Sequence, residues 1–290
     1  MSDAAISVFA PAKVNLTLHV QGRRADGYHP LDSLVAFVGV GDWISVRGAD
    51  EITLNITGPF AAALTGDEGE NLVLRAARFL ATTTARADGA AITLEKNLPV
   101  ASGIGGGSAD AAATLMACAQ LWDENLAQLA DADLAAALGA DVPVCLRRKP
   151  TFMRGIGELL TPAPNLPSAW LLLVNPGVPL ATKDVFGALN GRYSAPPPET
   201  VFKQLSGAEA LADALKTGGN DLTAPAGEHL PEISVILGHL EATPGCLLAR
   251  MSGSGPTCFG LYANSGLAGA AASRLKAADP GWWIAPAPLL

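Results

Sequence analysis

The chain has 290 residues, of which 49% are hydrophobic and 16% charged, and its formal net charge is −8. That length holds one large domain or two lobes of ordinary size, and the hydrophobic fraction excludes a disordered chain. The acidic balance argues against a nucleic-acid binder, which carries a basic face, but not against a small anionic ligand, because a local cluster of amide donors binds phosphate on an acidic protein too.

The first residues, "MSDAAISVFAPAKVNLTLHV", lack a basic start followed by an unbroken apolar run, so no signal peptide is expected. No window offers 18 uninterrupted apolar residues, so no membrane span is expected. "ISVFAPAKVNLTLHVQGR" alternates and is rich in β-branched residues; it predicts a strand broken at Pro11, then a second strand. "DGYHPLDSLVAFV" predicts a turn and a strand, and "DWISVRGADEITLNITG" two strands joined by a polar turn. "ENLVLRAARFLATTTA" carries Leu72, Val73, Ala76, Phe79 and Leu80 at helical spacing. "GAAITLEKNLP" predicts a strand bounded by Gly89 and Pro99.

Residues 99–115 read "PVASGIGGGSADAAATL", with four glycines in five positions and a helix expected from about Ser108 to Leu121. "ADLAAALG" predicts a shorter helix ended by Gly139. Composition shifts over residues 147–167, where "RRKP" and "TPAPNLP" suit a lobe boundary. Beyond it, "AWLLLVNPG" predicts a buried strand, "FKQLSGAEALADALKTG" and "LPEISVILGHLEATP" helices, and "GCLLARMSGSGPTCFGLYA" two strands around a second glycine loop. "GLAGAAASRLKAA" and "GWWIAPA" close the chain as helix and strand. Strands early, helices grouped late and no regular alternation predict an α+β protein with two lobes. Cys118, Cys145, Cys246 and Cys258 show no C-x-x-C spacing; free thiols in a reducing cytoplasm fit them, and no structural metal is expected.

The glycine loop carries the first chemical signal. Glycines let backbone approach a ligand closely, and a helix N-terminus adds about half a positive charge at the same spot. Ser108 can cap that helix, or offer its hydroxyl to a phosphate or to a magnesium ion's water. The spacing fits none of three familiar loops. No Gly-Lys pair completes a P-loop, Ser108 stands where the dinucleotide fingerprint needs Gly, and Asp110 stands where the hydrolase elbow needs Gly. Phosphate binding remains the better reading against a flexible turn.

Three ordered segments extend the signal: "APAKVNLTLHVQGRRADGYHPLDSLV" (10–35), "LPVASGIGGGSADAA" (98–112) and "MSGSGPTCFGLY" (251–262). Together with "GADVPVCL" they resemble the GHMP kinase superfamily, over nearly the whole chain and thinnest between about 190 and 245. The resemblance implies a two-lobed α+β fold: an N-terminal ATP-binding lobe over 1–153, a C-terminal substrate lobe over 154–290, and an active site in the cleft between them. It implies ATP and Mg2+ as cofactors. The "DGYH" turn further implies a cytidine-bearing acceptor, CDP-methylerythritol, phosphorylated on a hydroxyl.

By the same resemblance Asp141 occupies the position of the base and Lys13 that of its partner; a lysine near an aspartate keeps it ionised and can polarise the attacking hydroxyl. Asn15, two residues from Lys13 on a strand, faces the same way and is the orienting amide. Tyr28 and His29 stand at the cytidine reader, Thr182 and Phe186 near the base. Pro99, Val100, Ala101, Ser102, Gly103, Ile104, Gly105, Gly106, Gly107, Ser108 and Ala109 form the phosphate loop, with Asn71, Leu72 and Lys96 on the adenosine side. Bland readings stand beside these: a turn aspartate, a solvated Lys13, a Phe186 in helix core, an exposed Lys96, an ordinary hairpin at Gly253–Gly255. No direct protein ligand of the metal is expected: Ser108 is present without an evident glutamate partner, which leaves most of the ion to the phosphates of ATP. A monomer or weak homodimer, no nucleic acid and no membrane complete the expectation. A non-catalytic nucleotide sensor and a sister kinase for homoserine or mevalonate are the alternatives; Lys13 with Asp141 argues against the first, "DGYH" against the second.

Overall fold

The computed structural model describes residues 5–64 and 71–290. It divides into two compact units, each discontinuous in sequence: Met1–Ala12, Gly41–Val100 and Gly105–Arg148 form one, and Lys13–Val40, Ala101–Ile104 and Lys149–Leu290 the other. The last crossing falls after Arg148. The segments Lys13–Val40 and Ala101–Ile104 join the later part of the chain because their hydrogen bonds run there, as described below.

In the first unit, β4 (Thr53–Thr57) pairs in parallel with β5 (Gly89–Glu95), and β5 pairs antiparallel with the Trp43–Ala49 portion of β3 (Leu31–Ala49). Four helices accompany them: α1 (Leu72–Thr83), α2 (Gly106–Trp122), α3 (Asp131–Leu138) and α4 (Val142–Arg147). α1 buries Val73, Leu74, Ala76, Ala77, Leu80 and Ala81, the face its sequence spacing marks, and packs on α2. Asn71 caps α1, its Oδ1 accepting from the Val73 N–H at 2.9 Å, a contribution of about 1 kcal/mol. The residue before it, Glu70, lies outside the described residues.

In the second unit, β3 pairs antiparallel through Leu31–Val35 with β6 (Thr151–Gly155), and β6 with β7 (Leu159–Pro162). A separate four-stranded sheet has the order β11–β8–β10–β9, from Trp283–Pro288, Trp170–Asn175, Cys258–Tyr262 and Leu248–Met251. α8 (Glu232–Glu241) packs on β9 and β10, and α9 (Ser265–Ala278) on β8, β10 and β11. Leu172, Val174, Ile233, Ile236, Leu240, Met251, Tyr262 and Leu275 share one core there. α5 (Thr182–Gly187), α6 (Gly207–Lys216) and α7 (Thr223–His229) complete the unit.

Three expectations change. Pro11 does not break the first strand: β1 runs unbroken over Ile6–Asn15. Backbone N–H groups on one side of a strand recur every second residue, and those of Lys13 and Asn15 donate to the Ile104 carbonyl and the Ser252 Oγ rather than to a strand. Pro11 lies on that same side, where its missing N–H costs no ladder bond. β3 is one strand of 19 residues, where two were expected. α2 starts two residues early, at Gly106, so Ser108 sits in its first turn and is not its cap. The 147–167 stretch also carries the β6–β7 hairpin, and α4 and α7 were not foreseen. Among the described residues, no helix is long and apolar enough to cross a membrane.

Candidate active site

The glycine loop meets the second glycine loop through backbone. Ser252 Oγ accepts from the Asn15 N–H at 3.1 Å and donates to the Gly103 carbonyl at 3.0 Å. The Thr257 N–H donates to the Ser102 carbonyl at 3.2 Å, and the Lys13 N–H to the Ile104 carbonyl at 2.9 Å. A Cβ on Gly103, whose φ is +73°, would lie 2.6 Å from the Gly255 oxygen and 2.7 Å from the Ser252 oxygen. Glycine is therefore required there on two counts, conformation and space. The hairpin reading of Gly253–Gly255 falls short: the loop joins β9 to β10, but its flanking Ser252 and Thr257 also bond Gly103 and Ser102.

Lys13 is 4% exposed, which excludes a solvated surface lysine. Asn15 is buried beside it in the sequence, and its amide orientation is set by its neighbours. Ser33 Oγ gives its hydrogen to the Thr17 carbonyl, so it must accept from Asn15 Nδ2, at 2.7 Å. Asn15 Oδ1 is left buried with no hydrogen-bond partner, and an unmet buried acceptor costs about 1–3 kcal/mol. Such a cost in an otherwise well-bonded region marks a group kept for something other than stability.

Tyr28 is 60% exposed on a turn held by Gly27 at φ +89° and by the Tyr28 N–H donating to Asp26 Oδ1. His29 donates from Nδ1 to the Gly22 carbonyl at 2.9 Å, which makes Nε2 the acceptor of the neutral ring. The His29 ring stacks on Phe186, centroids 5.3 Å apart at 30°. Phe186 is partly buried against the core, so the packing reading and the ring-contact reading both hold for it. One turn earlier on α5, Thr182 Oγ1 meets Ser254 Oγ at 2.8 Å. The i, i+4 spacing puts both on one helix face, so α5 joins the second glycine loop to the "GYH" turn.

In the first unit, α2 opens from Gly105 in the left-handed region, with no side-chain cap. Its first helical bond is Ala109 N–H to the Gly105 carbonyl, which leaves the N–H groups of Gly106, Gly107 and Ser108 outside the helix's own ladder. The start of α1 lies alongside: a Cβ on Gly107 would sit 3.4 Å from Leu72 Cδ1. Pro99 and Val100 lead into the loop, exposed Ala101 takes a positive φ, and Ala109 is buried. Asp141 precedes α4 and caps none of its N–H groups. Val142, Pro143, Val144 and Cys145 bury behind it, and α4 packs on α2.

Lys96 is 2% exposed, which excludes the strand-end surface reading. Its Nζ lies 2.5 Å from Asp42 Oδ2 and 2.6 Å from Asp110 Oδ2. Removing one member of such a buried network costs about 3–5 kcal/mol. Burial pushes the Asp110 carboxyl up to about 8; the Lys96 charge opposes that rise and Asp42 adds to it. A folded value above a carboxylate's ordinary one means the folded chain keeps a proton the unfolded chain has lost, so this stabilisation is full below about 4 and gone above about 8. The melting-temperature difference between wild type and Asp110→Asn is expected to shrink as pH rises from 5 to 8; a constant difference would contradict the shift.

Sequence reasoning missed Asp42 and Asp110, and also Ser252, Asn220 and Arg250. Asn220 donates through Nδ2 to the Met251 and Gly253 carbonyls, both at 2.8 Å, steadying the second glycine loop. Arg250 gives its guanidinium to the carbonyls of Leu16, Leu215 and Gly218, and burial brings it down to about 10. His19, Ser194 and Asp221 are linked, but in the wrong sense for a hydrolase. Ser194 Oγ donates to Asp221 Oδ1, and His19 Nε2 accepts from the Gly219 N–H, so Nδ1 donates to the serine and cannot take its proton.

Two sheets with helices, a glycine loop opening a long helix, and a second glycine loop hydrogen-bonded to it define a phosphotransferase of one known type. The GHMP kinases N terminal domain matches residues 71–149 and the GHMP kinases C terminal domain residues 201–281. The chain belongs to the GHMP kinase family and is a kinase. It is 54% identical over 284 residues to the 4-diphosphocytidyl-2-C-methyl-D-erythritol kinase of Paramagnetospirillum magneticum, covering 98% of each chain. It is likewise 54% identical to the protein of that name from Cereibacter sphaeroides, over 96% of this chain and 97% of that one. The crystal structure of a 4-(cytidine 5'-diphospho)-2C-methyl-D-erythritol kinase superposes with a TM-score of 0.81 at 33% identity, covering 98% of this chain and 99% of that one. A homoserine kinase from Cytophaga hutchinsonii, at 21% identity and a TM-score of 0.71 over 100% of this chain and 98% of that one, shares the fold.

Proposed function

We propose that this kinase transfers the γ-phosphoryl group of ATP to the 2-hydroxyl of 4-diphosphocytidyl-2-C-methyl-D-erythritol, a step of non-mevalonate isoprenoid precursor synthesis. The observation that carries the acceptor is the aromatic group on the "GYH" turn: exposed Tyr28 next to a His29 ring stacked on Phe186. A flat pyrimidine is the ligand such faces suit, and an alcohol without a base would leave them without use. Full-length identity of 54% to kinases with that acceptor in their name supports the same reading.

Phosphoryl transfer asks a protein for positioning and for charge stabilisation more than for covalent work. The N–H groups of Gly106, Gly107 and Ser108 at the α2 start take the phosphates, aided by the helix dipole. Asn71 and Leu72, at the start of α1 beside them, face the adenosine, with Lys96 close beneath Gly106. Asp141 takes the proton of the attacking hydroxyl, Lys13 polarises that hydroxyl, and Asn15 Oδ1, otherwise unmet, accepts from the acceptor's polyol. Thr182 and Phe186 hold the acceptor's base end with Tyr28 and His29. Magnesium supplies neutralising charge on the phosphates. The donor set fits an ion held mainly by ATP: Ser108 offers one hydroxyl in the first turn of α2, and Asp110 is buried against Lys96.

Purified protein with ATP, magnesium and the CDP-alcohol should release ADP, and should not do so with homoserine or mevalonate as acceptor. Phe186→Leu should raise the acceptor KM about tenfold and leave the ATP KM in place. No ADP above background with the CDP-alcohol would defeat the proposal, and a shift in the ATP KM instead would remove Phe186 from the acceptor side.

A further inference from the structure

Three distant pieces of chain meet at one buried point in the first unit. Asp42 comes from β3, Lys96 follows the end of β5, and Asp110 lies one turn into α2. Asp42 uses both carboxylate oxygens. Oδ2 takes Lys96 Nζ, while Oδ1 accepts the N–H groups of Asn97 at 2.5 Å and Leu98 at 2.8 Å, the residues that lead into the glycine loop. Asp110 takes the same ammonium at 2.6 Å from the far side of the loop. The ammonium lies directly under the helix start, 3.1 Å from where a Gly106 Cβ would be. One end of the Pro99–Gly105 stretch is thus bonded to Asp42 directly, and the other reaches Asp42 through the Lys96 ammonium.

We propose that Asp42 and Asp110 are positioning residues for ATP: through Lys96 they clamp both ends of the glycine loop and hold the N–H groups of Gly106, Gly107 and Ser108 in the array that receives the phosphates. The inference rests on the kinase reading above. Glycine-rich backbone has many alternative conformations, and an array of N–H groups binds a phosphate well only when it is already in place. α2 has no side-chain cap to fix its first turn, and the buried ammonium held between Asp42 and Asp110 performs that task from beneath. A clamp of this kind acts on nucleotide affinity and leaves the acceptor side untouched, which separates it from a residue that only keeps the chain folded.

Asp42→Asn in the full chain is the direct test. The amide oxygen can still accept from Asn97 and Leu98, but the amide nitrogen now opposes Lys96 Nζ, donor against donor. Calorimetric titration with a non-hydrolysable ATP analogue and magnesium chloride should show affinity at least about tenfold weaker, with the acceptor KM within about twofold of wild type. Should Asp42→Asn fail to fold, Asp110→Asn, which keeps the Asp42–Lys96 pair, carries the same expectation at smaller amplitude. Unchanged nucleotide affinity in the folded fraction of these variants would overturn the clamp. A wild type that binds the analogue yet phosphorylates nothing would instead overturn the kinase reading and leave the clamp standing.

Discussion

Asp141→Asn is expected to lower kcat by about 10²–10⁴-fold, the usual contribution of a positioned general base, while the ATP and acceptor KM values move little. The structure favours so clean a separation. Asp141 precedes α4, whose Val142, Pro143, Val144 and Cys145 are buried, so packing holds the backbone that carries the carboxylate. Its side chain caps none of the α4 N–H groups, so the loss of about 1 kcal/mol that follows removal of a capping carboxylate does not apply. Pro143, in the first turn, fixes the helix start without needing a donor there. Lys13→Met should lower kcat as well, with some loss of stability, because Lys13 is buried on β1. Measuring kcat and melting temperature on the same preparations separates the two effects. An Asp141→Asn protein with wild-type kcat would remove Asp141 from the base role, and one that merely melted earlier would recast it as structural.

Much of this architecture was legible because it is periodic or local. The apolar spacing of α1, the alternation of β5, and the loops bounded by glycine and proline each follow from a few neighbouring residues, and the structure has them. α4 and α7 escaped because six- and seven-residue helices carry too little periodicity to register, and each contains a proline that reads as loop. Pro11 misled for a related reason: whether a proline breaks a strand depends on which side its missing N–H faces, and that is fixed by partners far away in sequence. The site divides along the same line. The glycines and the "GYH" turn are contiguous motifs, and could be nominated from the sequence in place. Asp42 could not, since its meaning lies in Lys96 and Asn97, more than fifty residues on. Ser252 bonds a carbonyl 149 residues away, and nothing local distinguishes it from Ser254 beside it.

Two alanine substitutions in the glycine loop should have opposite effects on stability. Gly103→Ala adds a Cβ at φ +73°, which costs an ordinary residue about 1–2 kcal/mol before any contact is counted. That Cβ would also lie 2.6–2.8 Å from the Gly255 oxygen and nitrogen and the Ser252 oxygen. These are backbone atoms that cannot swing aside as a side chain would. Relief requires the two glycine loops to part, and with them go the Ser252 to Gly103 and Thr257 to Ser102 bonds. The expected loss is about 3 kcal/mol or more, seen as a lower melting temperature together with weak activity towards both substrates. Gly107→Ala differs on each count. Gly107 is exposed, helical, and would place its Cβ at ordinary contact distance from Leu72 alone. Alanine favours a helix over glycine by about 0.5–1 kcal/mol, so the melting temperature should hold or rise. The new methyl tilts towards the helix N-terminus, into the space assigned to the phosphates, so the ATP KM should rise about tenfold. A more stable protein with poorer ATP binding is a combination that packing alone does not produce. If Gly107→Ala left the ATP KM unchanged, the phosphates would have to be seated elsewhere than at the start of α2.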